Sequence, residues 1–206
     1  MMKKNSDIMD SDLVEEIEYM IEVLTKSGFF NVDEIVEILE DQFIEEDIDF
    51  SQFEISLNDF DNVNFSKLEK VFDSLVKRDI VAIHNCGYDI EEGVSDAFEL
   101  QVHLLNNKFN PVGFCFYTFD DVEEAIWENK LKITFGDFEN NEQKAVGIGE
   151  IVAESLKSEG FSILWDGTVK NQIEINPFKW DKSFNDDKEY EMEGAYDNFI
   201  NDKVLK

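Results

Sequence analysis

Between Val112 and Phe135 the chain reads VGFCFYTFDDVEEAIWENKLKITF. An apolar run, an acidic helix opener, a short amphipathic helix and a second apolar run follow one another. That order predicts a strand–helix–strand unit, and a chain holding one must supply further helices to cover the sheet it starts. Along the first strand, Gly113, Cys115 and Tyr117 project to one side and Phe114, Phe116 and Thr118 to the other. A strand apolar on both sides belongs in the interior of a sheet.

Upstream, periodicity predicts three amphipathic helices that form an N-terminal layer. The first opens at Ser11 or Asp12 and runs to about Lys26, with Leu13, Ile17, Met20, Ile21 and Leu24 on one stripe and Gly28 ending it. The second is capped by Asn31, carries Asp33 and Glu34 in its first turn, and buries Ile35, Val36, Leu39 and Phe43. Residues 47–63 lack helical period and read as a connection, with a short extended piece at Phe53–Leu57. A third helix opens at Asn64 or Ser66 and carries Leu68, Val71, Phe72, Leu75 and Val76.

Ile80–Ile83 reads as a strand entering the polar turn HNCGYDIEEG. A helix over about Val94–Asn106 should turn Val94, Ala97, Phe98, Val102 and Leu105 inward. Beyond the central unit, whose helix Asp120 is expected to cap, Asn140 or Asn141 opens a helix to Glu159, with Gly149 packed against the sheet and Gly160 closing the end. Phe161–Trp165, the turn at Asp166-Gly167 and Ile173–Ile175 read as a hairpin. After Trp180 polarity rises, and Tyr190 to Leu205 reads as a loose last helix. The expected fold is α+β: N-terminal helices followed by a small mixed β-sheet of four or five strands with helices packed on it. One domain over 1–180 is expected, very acidic and helical over 1–62 and strand–helix over 63–180, with 181–206 as a polar tail.

Charge narrows function more than any motif does. The chain of 206 residues has a formal net charge of −30, and residues 1–62 alone hold 19 acidic against three basic side chains. Such a field repels the phosphates of nucleic acid and of anionic membranes and attracts a basic protein. Nineteen phenylalanines in a chain that is 43% hydrophobic supply a core without disulfides, and Cys86 and Cys115 form no disulfide framework. The start MMKKNSDIMDSD has no apolar segment behind its lysines, so it is no signal peptide. No run approaches the roughly 20 apolar residues that span a bilayer. The expected setting is the cytoplasm.

The runs GFCFYTFDDVEEAIWENKLKITFG, VGIGEIVAESLKSEGF and WDGTVKNQIEI closing at FKW, with LVKRDIVAIHNCGYDIEEG before them, resemble a family of uncharacterised bacterial proteins grouped as a domain of unknown function. The likeness covers about Asp33 to Trp180 and leaves out the acidic first helix and the tail. It implies no activity, substrate, cofactor or catalytic set, and the family pattern does not require cysteine at Cys86.

Several residues invite chemistry. His84 and Cys86 would share a face if their strand persisted, and a Cys–His pair beside a glycine turn is the setting of an activated thiolate. No third orienting group is visible, and two His with two Cys without paired short spacings make no zinc signature. The loop from Asp59 offers acidic residues at positions 1 and 3 but Val at 5, Asn at 6 and Lys at 12, which fails as a calcium loop. Asp120 and Asp121 at a strand end could do acid–base work, although capping the next helix explains them as well. Gly147 and Gly149 fall mid-helix after no strand, so they cradle no phosphate. Tyr88, Trp165, Asp166 and Trp180 could gather at a cleft. No catalytic residue, metal or cofactor is assigned. The leading expectation is a non-enzymatic protein docking a basic partner through Glu15, Glu18, Glu37 and Glu40. The alternative is a small-molecule enzyme or binder with its pocket near His84–Tyr88 and Asp120.

Overall fold

The computed structural model describes residues 10–46 and 48–204. The opening residues read above for a leader, and Leu205 at the end of the expected last helix, lie outside them. Helices α1 (Ser11–Ser27), α2 (Val32–Gln42) and α3 (Val63–Val76) precede strand β1 (Ile80–Ile83). Then follow α4 (Ile90–Asn106), β2 (Gly113–Phe116), α5 (Phe119–Glu128), β3 (Leu131–Asp137), α6 (Glu142–Ser158), β4 (Ile163–Leu164), β5 (Ile173–Ile175) and α7 (Met192–Val204). The strands form one mixed sheet in the order β1-β2-β3-β5-β4. Only β1 and β2 run parallel, joined through α4; every other neighbour is antiparallel. The architecture is α+β, as the order of elements predicts.

The central unit folds as read. All of β2 is buried, with Gly113 beneath Ile148 of α6 on one face and Phe114 against Phe98 of α4 on the other. The cap of α5 differs from the expectation. Thr118, not Asp120, is the N-cap: it accepts the Asp121 N–H, and the Asp121 carboxylate returns to the Thr118 N–H at 3.0 Å. Asp120 is left exposed at the surface.

The three N-terminal helices do not form one layer. Ile17, Ile21 and Leu24 of α1 pack with Ile35 and Leu39 of α2, and Phe43 and Phe50 close a separate small core. Phe65, Leu68, Phe72 and Leu75 of α3 join the main core instead. Periodicity finds an apolar face but does not say which core receives it. Residues 53–62 carry no regular structure, so the extended piece at Phe53–Leu57 does not pair with a strand. In α4 the inward stripe is also rotated from the expected one. The helix starts earlier, capped by Asp89, and buries Gly93, Ala97, Leu100 and Leu104, while Val102 and Leu105 face out.

The polar segment after Trp180 is tied into the body at once. Trp180 Nε1 donates to the Ser27 carbonyl at 3.1 Å, and the Lys182 ammonium donates to that of Gly28. Two orphan carbonyls at the end of α1 are satisfied in this way. Between them, Asp181 turns to α3: its Oδ2 accepts the Asn64 N–H and its Oδ1 the Phe65 N–H, both at 2.9 Å. The cap of α3 therefore comes from the far end of the domain, and Asn62 at its own N-cap position makes no side-chain bond to it. Gly28 stands at φ +69, and a Cβ there would run into the Lys182 backbone, so both conformation and space ask for glycine. Helix α7 then packs by Ala195 and Phe199. Among the described residues no helix is long and apolar enough to cross a membrane.

Candidate functional site

Beyond β1 and β2 the two chains stay zipped by main-chain bonds: Cys86 N–H to Tyr117 O at 2.8 Å, Phe119 N–H to Gly87 O at 3.1 Å, and Asp120 N–H to Tyr88 O at 3.1 Å. This holds the turn 85–88 against the start of α5. Facing it are α1, α2 and the entry to α7, and the space between is a cleft of about 900 Å³. It separates the small α1–α2 core from the main body.

Met20, Val23, Leu24, Phe30, Ile38 and Phe119 make the apolar part of the wall. Phe119 lies between two rings, 6.0 Å from Tyr88 in a stack and 6.1 Å from Phe30. Six carboxylates also line the cleft: Glu16, Asp96, Glu123, Glu189, Glu191 and Glu193. No lysine, arginine or histidine is among the described lining residues. Burial first, then Glu189 and Asp96, raises the Glu191 pKa from its ordinary value, although its bond from Asn85 opposes the shift. Asp96 is likewise raised by burial, then by Glu99 and Glu92. Like charges crowding a partly dry space are the cause.

The sequence candidates divide between this cleft and other places. Cys86 and Tyr88 line it; His84 does not. Strand β1 ends at Ile83 and Asn85 takes a left-handed φ of +51, so the side chains of His84 and Cys86 part. His84 stacks on Phe72 with ring centres 4.3 Å apart, and its Nδ1 meets the Tyr117 hydroxyl at 2.8 Å. Burial, with the charges of Lys188 and Lys182, pushes its pKa down to about 3, so the ring is neutral. The Cys86 thiol donates to the Gly93 carbonyl at 3.4 Å, and burial raises its pKa, so it is no thiolate. Asp121 is spent in the α5 capping box and near Gln172. Asp120, raised by burial and then by Glu123 and Asp89, stands beside the cleft without lining it.

Trp165 and Asp166 belong to the hairpin edge. Trp165 packs on Phe135, and Asp166 holds a turn by accepting from Thr168 and Asn171, whose bonds lower its pKa. Glu15, Glu18, Glu37 and Glu40 are exposed on α1 and α2, outside the cleft. Sequence reading missed Asn85, Glu191 and Asp96. An asparagine in a polar turn after a strand is an ordinary turn residue, and only the return of residues 189–193 gives it a partner. Among the described residues no group of three or more His, Cys, Asp or Glu converges to hold a metal ion.

Over residues 10–184 the sequence matches the family described as Domain of unknown function (DUF6891). The chain belongs to that family. The match runs further than the resemblance read from sequence: it takes in α1 and ends just past the Trp180–Lys182 segment that closes on it. No curated protein and no solved structure matches the chain. This member of DUF6891 has its cleft built from both sides of the matched region and from the entry to α7 beyond it.

Proposed function

We propose that this protein is a non-enzymatic binding protein whose cleft and neighbouring helix faces seat a basic partner protein, in the manner of an inhibitor or immunity-type partner. The observation that carries the reading is the composition of the cleft wall, six carboxylates over an apolar floor with no cationic side chain among them. Such a site pays for its own charge repulsion unless a cation enters. The exposed Glu15, Glu18, Glu37 and Glu40 extend the same sign over α1 and α2. The thiol of Cys86 and the ring of His84 offer no activated nucleophile, which favours binding over catalysis. The free buried cysteines suit a bacterial cytoplasm, and the overall charge opposes contact with nucleic acid.

A second reading, a binder of a small cationic molecule, is favoured by the concavity itself, whose size lies in the range of small-molecule sites. The test is capture from native lysate on the immobilised chain, washed at low and high salt. Two charge-reversed variants run in parallel, one with Glu15, Glu18, Glu37 and Glu40 changed to Lys, the other with Glu16→Lys and Glu193→Lys. A basic partner released by salt and weakened by either variant is expected. Capture unchanged by both variants would overturn the reading, and loss of a small amine alone with the cleft variant would favour the second.

A further inference from the structure

The α1–α2 core and the main core meet along the cleft, and the chain touches the seam between them twice. After α1, Phe29 packs on the main core and Phe30 on the small one; before α3, Leu57 belongs to the small core and Phe65 to the main one. The segment 180–183 grips both places. Trp180 and Lys182 hold the Ser27 and Gly28 carbonyls, and Asp181 holds the N–H groups of Asn64 and Phe65. Ser183 adds its N–H to Asn62 Oδ1 at 2.7 Å and its hydroxyl to the Phe60 carbonyl at 3.0 Å. Elsewhere α1 rests on α5, where Tyr19 stacks on Trp127 at 5.8 Å and Lys26 lies over the same ring. Tyr19 and Trp127 are exposed, so this is a surface contact on which the lobe can turn, whereas Trp180, Asp181 and Lys182 are buried.

Lys182 gives the grip two states. It is 1% exposed, and its nitrogen bonds two oxygens, the Gly28 and Ser183 carbonyls. A neutral amine has two N–H groups for those two carbonyls; an ammonium brings a third, which meets the faces of Phe29, Phe65 and Tyr190. The rings attract the cation, but less than burial penalises it, and the pKa falls to about 7. Among the described residues no carboxylate pairs with Lys182. Glu69 of α3 favours the cation but is bonded by Lys188 and by the Tyr190 hydroxyl; Lys188 opposes it. His84 at the end of β1 is neutral, and the Asp181 carboxylate is spent on α3. We infer that residues 180–183 are a proton-released clasp: a proton taken from water by Lys182 Nζ drives the side chain out of its ring cage, frees Gly28, and lets the α1–α2 lobe turn on α5 so that the cleft widens. Glu191 and Asp96 act with the opposite sign, because protons they take up remove repulsion across the cleft and narrow it.

Spin labels at Glu37→Cys on α2 and Glu91→Cys on α4, both exposed, report the width of the cleft in the full chain by pulsed electron resonance, and the native Cys86 and Cys115 are buried. The ratio of the longer to the shorter distance should grow about tenfold per unit as pH falls from 9 to 7.5 and level off below 7. Lys182→Met should hold the shorter distance throughout. One distance unchanged from pH 9 to 6 overturns the clasp. Lengthening that persists in Lys182→Met overturns the assignment to Lys182, and shortening in acid means that the cleft carboxylates govern instead. If Lys182→Met does not fold, hydrogen exchange of the wild-type Trp180 indole N–H, bonded to Ser27, is compared with that of the Cys86 amide, bonded to Tyr117 inside the body. The indole should exchange faster and lose protection as pH falls. Equal protection of the two overturns the proposal, because the segment then opens only with the whole domain.

Discussion

The carboxylate of Asp181 accepts the backbone N–H of Phe65 at 2.9 Å, 116 positions away in sequence. With the Asn64 N–H on its other oxygen, it does for α3 what a local N-cap does elsewhere. Asp181→Ala leaves one buried and one half-buried donor open and should cost about 2 kcal/mol, the upper end for a lost cap. Asp181→Asn keeps one acceptor and should cost less. Urea unfolding followed by tryptophan fluorescence measures both, and an alanine variant as stable as wild type would show that the tail closes on α3 without holding it.

Lys182 is buried with its ammonium among the rings of Tyr190, Phe29 and Phe65, at 4.1, 4.6 and 5.2 Å. Burial lowers its pKa to about 7 from 10.5. The unfolded chain therefore binds more protons than the folded one between those values, and Lys182 makes stability rise with pH from about 7 to 10.5. Below pH 7 the full cost of burying the charged form is present. Lys182→Met should remove that slope, stand within about 1.5 kcal/mol of wild type at pH 10 and exceed it at pH 6. Denaturation midpoints across this range test it, and a slope that persists in the variant would assign the effect to other groups.

Two glycines of α6 should respond in opposite directions. A Cβ on Gly149 would come within 2.5 Å of Phe135 Cε2 and 2.8 Å of Trp165 Cη2, whereas at Gly147 nothing lies within 4 Å. Gly149→Ala should cost about 1–3 kcal/mol by overpacking, and Gly147→Ala should gain about 0.5–1 kcal/mol from helix propensity. Thermal melting of the pair checks this within one helix. Equal shifts of the same sign would mean the helix does not sit tightly on β3.

What was legible in sequence is local. The alternation in β2 and the caps of α1 and α2 at Gly28 and Asn31 each rest on residues within a few positions of one another. What was not legible depends on distant partners. Asp181 looks like tail polarity until α3 is beside it, and Lys182 gives no sign that Gly28 will meet it. The stripe of α4 was misplaced because Asp89 starts the helix a turn early and puts Gly93 against Phe116. The polarity after Trp180 gives no sign that α7 will pack by Ala195 and Phe199. The cleft is legible least of all, since Asn85 and Glu191 meet only after the whole domain has closed.

Cys86 and Cys115 should resist thiol reagents. Both are free and buried, and burial raises both thiols above their ordinary pKa, so the reactive thiolate is scarce at neutral pH. Ellman's reagent at pH 7.5 should label neither in the folded chain and both in denaturant. Rapid native labelling of Cys86, which lines the cleft, would reopen it as a nucleophile.

Carboxylates in and beside the cleft set the behaviour of the protein in mild acid. Glu191, Asp96 and Asp120 all have raised pKa values, chiefly by burial and then by neighbouring carboxylates. A carboxyl whose folded pKa exceeds its unfolded value binds protons first in the folded state. Its contribution to stability is full below the unfolded pKa and is lost as pH rises through the folded one. These three groups therefore favour folding as the pH falls from neutral toward about 4.5, against the usual acid destabilisation. Glu124 and Asp166, whose pKa values are lowered, pull the other way and lose their contribution further into acid. Glu191→Gln, neutral at every pH and still able to accept from Asn85, should raise stability at pH 7, leave it near wild type at pH 4.5, and flatten the curve between. Denaturant midpoints at those two values decide it: an equal gain at both would mean that Glu191 is not the titrating group, and that charge repulsion in the cleft costs the fold nothing.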